Sequence, residues 1–303
     1  MRKLSSEHFS MARNFILMKA RPLDKAMLRF EFEQGSAADV VKELETFQND
    51  DGGFGHALEP DFRLPDSSAI ATTIALQYIS RLRLPEIPVM VVQALQYLHQ
   101  TFDPEHQLWE SVPESVTQFP RAMWWEYPGP EKAEQYWANP SAEIIGYLYE
   151  FPGVIQNGLR DTLTRKAFEK LDNRSEPLEM HDLLCYLRLA ERLPEDRKTE
   201  LYTRLDPHVR TVVTTAPEQW RTYGLQPTQV APSPKAYYYP VLKTAIDENL
   251  DFLIETQSDD GAWNPTWQWG RYEEEWQQAK EEWKGVLTLD NLRILRAYHR
   301  IET

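Results

Sequence analysis

The segment from Gly55 to Ser68, GHALEPDFRLPDSS, concentrates groups that can do chemistry. His56, Glu59, Asp61, Arg63 and Asp66 fall within 11 residues. Pro60 and Pro65 stiffen the segment, and it runs into a helix N-terminus. Rigid loops that carry titratable groups are where a scaffold commonly places catalysis. One imidazole and three carboxylates supply proton donors and acceptors, and a guanidinium supplies a contact for an anion. The same residues also suit turns and caps, with Asp66 capping a helix, Glu59 paired with Arg63 and His56 packed. Five such groups exceed what capping needs. His56, Glu59, Asp61 and Asp66 are therefore candidate catalytic residues, and Arg63 is a candidate substrate contact.

Aromatic side chains form a second constellation. Trp124-Trp125-Glu126-Tyr127 sits in a Pro-rich stretch, Pro113 to Pro140. Trp267, Trp269, Tyr272, Trp276 and Trp283 cluster near the C-terminus, and Tyr237-Tyr238-Tyr239 precede them. Trp269, Trp276 and Trp283 are seven residues apart, which on a helix puts them on one face. Core or lid packing is one reading. The other is an aromatic-lined cavity, which stabilises cations through the ring quadrupole or stacks on sugar rings. Trp124, Trp125, Tyr238, Trp267 and Trp269 are the candidate substrate-binding aromatics. Glycoside cleavage needs two carboxyl groups flanking a bond, and Glu59 with Asp61, or Asp66 with Glu126, are possible pairs.

Several chemistries lack their residues. Cys185 is the single cysteine, so an intrachain disulfide and a Cys-rich zinc site are excluded. His181 and Cys185 share a helix face at i, i+4, but two potential ligands do not make a metal site, and no metal or cofactor is expected. No Gly-x-Ser-x-Gly, Walker loop or His-Glu-x-x-His occurs. With 33 basic against 47 acidic side chains the net charge is −14, which argues against nucleic-acid binding. The N-terminal apolar run, Phe15 to Met18, is too short for a signal peptide. No segment approaches the roughly 18 apolar residues that a membrane span needs. A cytoplasmic protein acting on a small-molecule substrate is the expectation.

The elements that must position these groups read as helices. Apolar residues at 70, 74, 78, 79 and 82 form one stripe, with Ser67 or Ser68 as its N-cap. Pro22 opens a helix that Gly35 stops. Leu84-Pro85 and Leu193-Pro194 end two more. Further stripes cover 87–101, 142–150, 159–171, 179–193, 235–256 and 285–301. Alternating strand patterns are nearly absent, so the fold class is all-α. No clean linker divides the chain, which reads as one domain over residues 1–303. Irregular insertions are expected near 110–140 and 264–284.

Two segments repeat without a gap. Leu44-Glu-Thr-Phe-Gln48-Asn-Asp-Asp51-Gly52-Gly-Phe54 matches Leu253-Ile-Glu-Thr-Gln257-Ser-Asp-Asp260-Gly261-Ala-Trp263. Gln48 and Gln257 stand 209 residues apart, close to five units of about 42 residues, a length suited to a helix pair. About six such pairs would close a ring with first and last units adjacent. The glycines permit a turn between helices. The aspartates can bond backbone amides in that turn, and the glutamines can satisfy backbone groups at a neighbouring helix.

These Gln-x-Asp-Asp-Gly-x-aromatic segments resemble the QW-type repeats of the terpenoid cyclase and protein prenyltransferase β-subunit superfamily. The resemblance is sharp at residues 44–76 and 253–263 and faint elsewhere. It implies an α/α toroid, an inner ring of helices inside an outer ring, and an isoprenoid-handling function in a central aromatic and acidic cavity. It also implies that His56, with Arg63, would contact a prenyl diphosphate, and that Glu59, Asp61 or Asp66 would act as acid, base or cation stabiliser. The chain departs from that family in lacking its Asp-x-Asp-Asp acid, its Asp-Asp-x-x-Asp magnesium site and its Asp-x-Cys zinc ligands. A carbohydrate lyase or hydrolase with paired carboxylates, and a non-catalytic binding or scaffold toroid, remain alternatives.

Overall fold

A computed structural model describes residues 1–155 and 157–302. Helices carry the fold: α1 Ser6–Lys19, α2 Pro22–Phe32, α3 Ala37–Glu45, α4 Ala69–Leu82, α5 Val89–Gln100, α6 Ala138–Glu150, α7 Asn157–Asp172, α8 Met180–Arg192, α9 Glu195–Val212, α10 Tyr239–Glu255 and α11 Glu273–Ala297. Only isolated bridges, and no strands, occur among the described residues. The ends follow local chemistry. Ser68 caps α4 by accepting from the Ala71 amide, Pro22 occupies the first turn of α2, and Gly35 N–H closes the end of α2 on the Arg29 carbonyl.

Two elements depart from the periodicity. Helix α9 occupies a segment with no clear stripe, because its buried Leu201, Tyr202, Leu205 and Val209 are embedded in charge. Helix α11 begins at Glu273 rather than near Gly285, its first turns anchored by buried Trp276 and Ala279. Trp269 therefore precedes the helix and does not share a helical face with Trp276 and Trp283. It packs on Trp276 instead, ring centres 5.8 Å apart. The irregular stretch after the second repeat is accordingly shorter than expected, residues 264–272. Residues 110–137 are built from 3-10 turns and a one-turn helix, as their proline content demands.

The chain forms two compact units, residues 44–212 and residues 1–43 with 213–303. The first contains three successive helical hairpins, α4/α5, α6/α7 and α8/α9, whose leading members α4, α6 and α8 pack in series. Gly146 lets α6 lie close to α8, since a Cβ there would sit 3.3 Å from the Arg188 carbonyl. Polar ties cross the same seam, Glu143 to Arg188 at 2.8 Å and Glu150 to Arg192 at 2.6 Å, and Ser80 of α4 reaches Glu150 across the neighbouring α4/α6 seam at 2.9 Å. Tyr147 donates to Glu143 at 2.7 Å.

In the second unit α11 packs on α1 and α2. Gly285 makes room for Ala20, as a Cβ there would come within 2.7 Å of the alanine methyl. Leu4 and Ile301 form a parallel bridge, with Leu4 N–H donating to Arg300 O at 2.7 Å and Glu302 N–H to Leu4 O at 2.9 Å.

Candidate functional site

The two repeated corners share one hydrogen-bond scheme. At the first, Gly52 adopts φ +87°, Gly52 N–H donates to Asn49 O at 2.9 Å, and Asp51 accepts from the Gly53 amide at 2.9 Å. Gln48 Nε2 donates to Gly52 O and to Met90 O of α5, both at 2.9 Å. Phe54 N–H donates to the Thr72 hydroxyl of α4 at 3.1 Å. At the second, Gly261 also has φ +87°, its N–H donates to Ser258 O at 2.8 Å, and Asp260 accepts from the Ala262 amide at 3.2 Å. Gln257 Nε2 donates to Gly261 O at 2.8 Å and to His8 O of α1 at 3.0 Å. Trp263 N–H donates to the Thr288 hydroxyl of α11 at 3.1 Å. The corners differ in the side chain that donates to the aspartate. Asp51 takes the Ser67 hydroxyl at 2.7 Å, whereas Asp260 takes the Lys284 ammonium at 2.5 Å. Burial opposes ionisation of Asp260, but Lys284 and the Ala262 amide outweigh it and hold its carboxyl below the usual range.

Beyond the first corner the chain doubles back. His56 and Ala57 take left-handed backbone angles, and their amides donate to Pro65 O and Leu64 O. This reversal sorts the titratable groups. His56 and Asp66 face outward. Glu59 and Asp61 turn inward, 6% and 4% exposed. His56 Nε2 donates to Asn49 Oδ1 at 2.8 Å, which requires the ring hydrogen on that nitrogen. Asp66 accepts from the Ser115 hydroxyl at 2.9 Å. Burial, then the Asp51 and Asp66 carboxylates, push the Tyr97 phenol well up. Arg63 donates to Pro60 O at 3.4 Å. His56 and Arg63 are thus held by separate partners.

The inward pair lies against the Trp124–Trp125 segment. Glu59 accepts from the Asp61 amide at 3.3 Å. Residues 61–63 zip onto 120–122: Ala122 N–H donates to Asp61 O at 2.8 Å, Phe62 bridges Arg121, and Arg63 N–H donates to Pro120 O at 2.8 Å. Arg121 is buried and donates to Thr117 O and Phe119 O, each at 2.9 Å, while Glu126 pairs with it at 2.5 Å. The Phe62 ring meets Trp125 edge-on at 5.4 Å. Trp125 Nε1 is buried and has no hydrogen-bond partner among the described residues. Trp124 stands exposed beside it.

The remaining candidate aromatics belong to the other unit. Tyr238 is buried with Tyr237 across it at 5.1 Å. Trp269 is buried on Trp276, and Trp267 sits between Trp283 at 5.1 Å and Tyr223 at 5.6 Å.

Sequence reasoning missed a cleft of about 570 Å³ lined by residues of α7, α8 and the 134–138 segment. Asp182, in the first turn of α8, is 5% exposed, and no hydrogen bond reaches its carboxylate from the described residues. Burial, reinforced by the Glu179 carboxylate, pushes its carboxyl up to about 6, and Arg174 and His181 only partly oppose this. Burial and neighbouring Lys170 depress the Lys166 ammonium. The available signal was an acid in an apolar stripe, since Asp182 shares its face with buried Tyr186, Leu189 and Ala190. His181 and Cys185, which drew attention first, diverge. His181 meets Glu179 at 3.0 Å, and Cys185 is buried with its sulfur 3.8 Å from Glu143. Burial pushes that thiol well up.

Among the described residues no group of three or more His, Cys, Asp or Glu side chains is placed to hold a metal ion. None of their helices is long and apolar enough to cross a membrane. Comparison with protein-family models, curated proteins and solved structures finds no match, so the geometry described above is the ground for a functional reading.

Proposed function

We propose that the chain is an α/α toroid of about six helix pairs that handles an isoprenoid, with the docked segments 55–66 and 119–126 forming one wall of its ligand site. The observation that carries this reading is the recurrence, bond for bond, of the Gln-Asp-Gly corner at 48–54 and 257–263. The serial packing of α4, α6 and α8, and the seating of the second corner on α1, support this reading. Glu59 and Asp61 then act as buried acid and cation stabiliser, with Phe62, Trp124 and Trp125 as the apolar face; ring faces and carboxylates both favour a carbocation. Arg63 and His56 lie towards the anionic head group.

A carbohydrate reading is favoured by one feature, the unpartnered Trp125 indole N–H beside two buried carboxylates, which a hydroxyl-rich ligand would engage. One experiment separates the two. The full chain is titrated with farnesyl diphosphate, squalene and cello-oligosaccharides while tryptophan fluorescence is followed, and products are analysed by mass spectrometry. The isoprenoid reading expects saturable quenching by a prenyl compound and loss of product in Asp61→Asn. Oligosaccharide binding or cleavage without any prenyl response overturns it.

A further inference from the structure

We propose that the cleft between α7, α8 and residues 134–138 binds a small zwitterion of amino-acid type, its ammonium on Asp182 and its acid group on the Lys166–Lys170–Arg174 row. The site shares no residue with the proposed isoprenoid wall and stands independently of it.

Asp182 anchors this site. The residue is 5% exposed and lines the cleft, and no side-chain or backbone donor among the described residues bonds its carboxylate. A carboxylate held in a largely buried residue and offered to a cleft without a protein donor is a ready acceptor for a ligand's N–H groups. Capping does not occupy it, because Glu179 already caps α8 by accepting from the His181 amide at 2.7 Å. The neighbouring wall donors are turned away from it. Tyr186 donates its hydroxyl to Ala167 O at 3.1 Å, and Trp137 donates its indole N–H to Gln107 O at 2.8 Å. What these two residues leave for a ligand is ring surface, with the Asp182 carboxylate beside it.

The cleft also carries a basic row, and Arg174 at its end acts on Asp182. Lys166, Lys170 and Arg174 recur every four residues, which puts the two lysines on one face of α7 and Arg174 just beyond its end. Lys166 donates to His106 O at 2.5 Å and is crowded by Lys170, while Lys170 pairs with Glu134 at 2.6 Å. The charged lining sums to zero, since Glu134, Glu169 and Asp182 offset the three cations. A simple amine is repelled by the row and a simple anion by the acids. A molecule carrying both charges satisfies both sets of groups. The volume, about 570 Å³, lies within the usual range for a small-molecule site.

The test is calorimetric titration of the full chain with the free amino acids, γ-aminobutyrate and β-alanine, with putrescine and inorganic phosphate as single-charge controls. At least one zwitterion is expected to bind with Kd below about 1 mM, and both controls at least about tenfold more weakly. Asp182→Asn and Lys166→Met are each expected to weaken binding by about tenfold or more, with circular dichroism unchanged. On the wild-type protein, the Trp137 indole resonance is expected to shift on saturation, which needs no variant to fold. Absence of zwitterion binding, equal binding by Asp182→Asn, equal binding of a control, or binding without a Trp137 shift overturns the proposal.

Discussion

Gln257 donates its side-chain amide to the carbonyl of His8, 249 residues earlier in the chain, at 3.0 Å. The same nitrogen donates to Gly261 O at 2.8 Å. Because both partners are carbonyls, the amide orientation is fixed by chemistry. The corner is thus a bracket, one arm on its own turn and one on α1. Gln257→Ala is expected to remove both of these side-chain hydrogen bonds and to lower stability by about 1–3 kcal/mol in urea denaturation.

The glycine of the bracket tolerates nothing larger. An alanine at 52 would hold its Cβ 2.6 Å from Gln93 O, and one at 261 would meet Met11 O at 2.5 Å, each at φ +87°. Gly52→Ala and Gly261→Ala are each expected to cost about 2–4 kcal/mol, the left-handed strain adding to the clash. Thermal denaturation checks this, and a loss below about 1 kcal/mol would mean that the corner yields.

The seam between α6 and α8 makes a sharper prediction. Arg188→Met leaves the buried Glu143 with the Tyr147 hydroxyl and the weak Cys185 thiol as its side-chain donors, and is expected to cost about 3 kcal/mol. The double variant Glu143→Met/Arg188→Met is expected to recover most of that loss, because well-packed apolar side chains avoid the desolvation of both ions. A double-mutant cycle in denaturant measures the coupling.

Asp182 sets a pH dependence. Its carboxyl is raised from an ordinary 3.8 to about 6 in the folded protein, so between those values the native state binds more protons than the unfolded chain. Stability contributed by this group is therefore greatest at low pH and falls as pH rises through the window, reaching its full penalty above about 6. Asp182→Asn is expected to remove a penalty on the order of 2–3 kcal/mol at pH 7 and to flatten the profile between pH 4 and 6. Denaturation midpoints across that range, compared with wild type, decide the matter.

Arg121 pins the docked segment through two carbonyls and Glu126. Arg121→Met is expected to free residues 117–126, seen as faster amide exchange there and at Phe62. Glu126→Gln should do far less, since its half-exposed carboxylate is screened by water.

The corners were legible because their chemistry is local: a glycine with positive φ, an aspartate two residues before the amide that donates to it, a glutamine one turn away. The five-group loop was legible as a concentration of function-bearing types, but not as an arrangement. Which groups turn inward depends on the left-handed His56 and Ala57 and on docking to Pro120 and Ala122, some sixty residues along the chain, and neither has a local signal. Asp182 was missed because an aspartate in the first turn of a helix reads as a favourable charge at the macrodipole; only tertiary burial makes it anomalous. Helix α11 was begun too late because its opening turns are mostly charged, and the spacing of Trp269 from Trp276 imitated a helical repeat across a helix start.

The bridge between Leu4 and Ile301 has a mechanical consequence. The two segments run parallel, so tension on opposite ends of the chain pulls their hydrogen bonds along the strand axis, and Leu4 N–H and Glu302 N–H must give way together. Arg300, clamped to Arg2 O and Asp251, adds a lateral pin. Load applied at the ends therefore meets this clasp before any helix can peel, whereas handles placed on interior loops would bypass it and unravel the same chain at lower force.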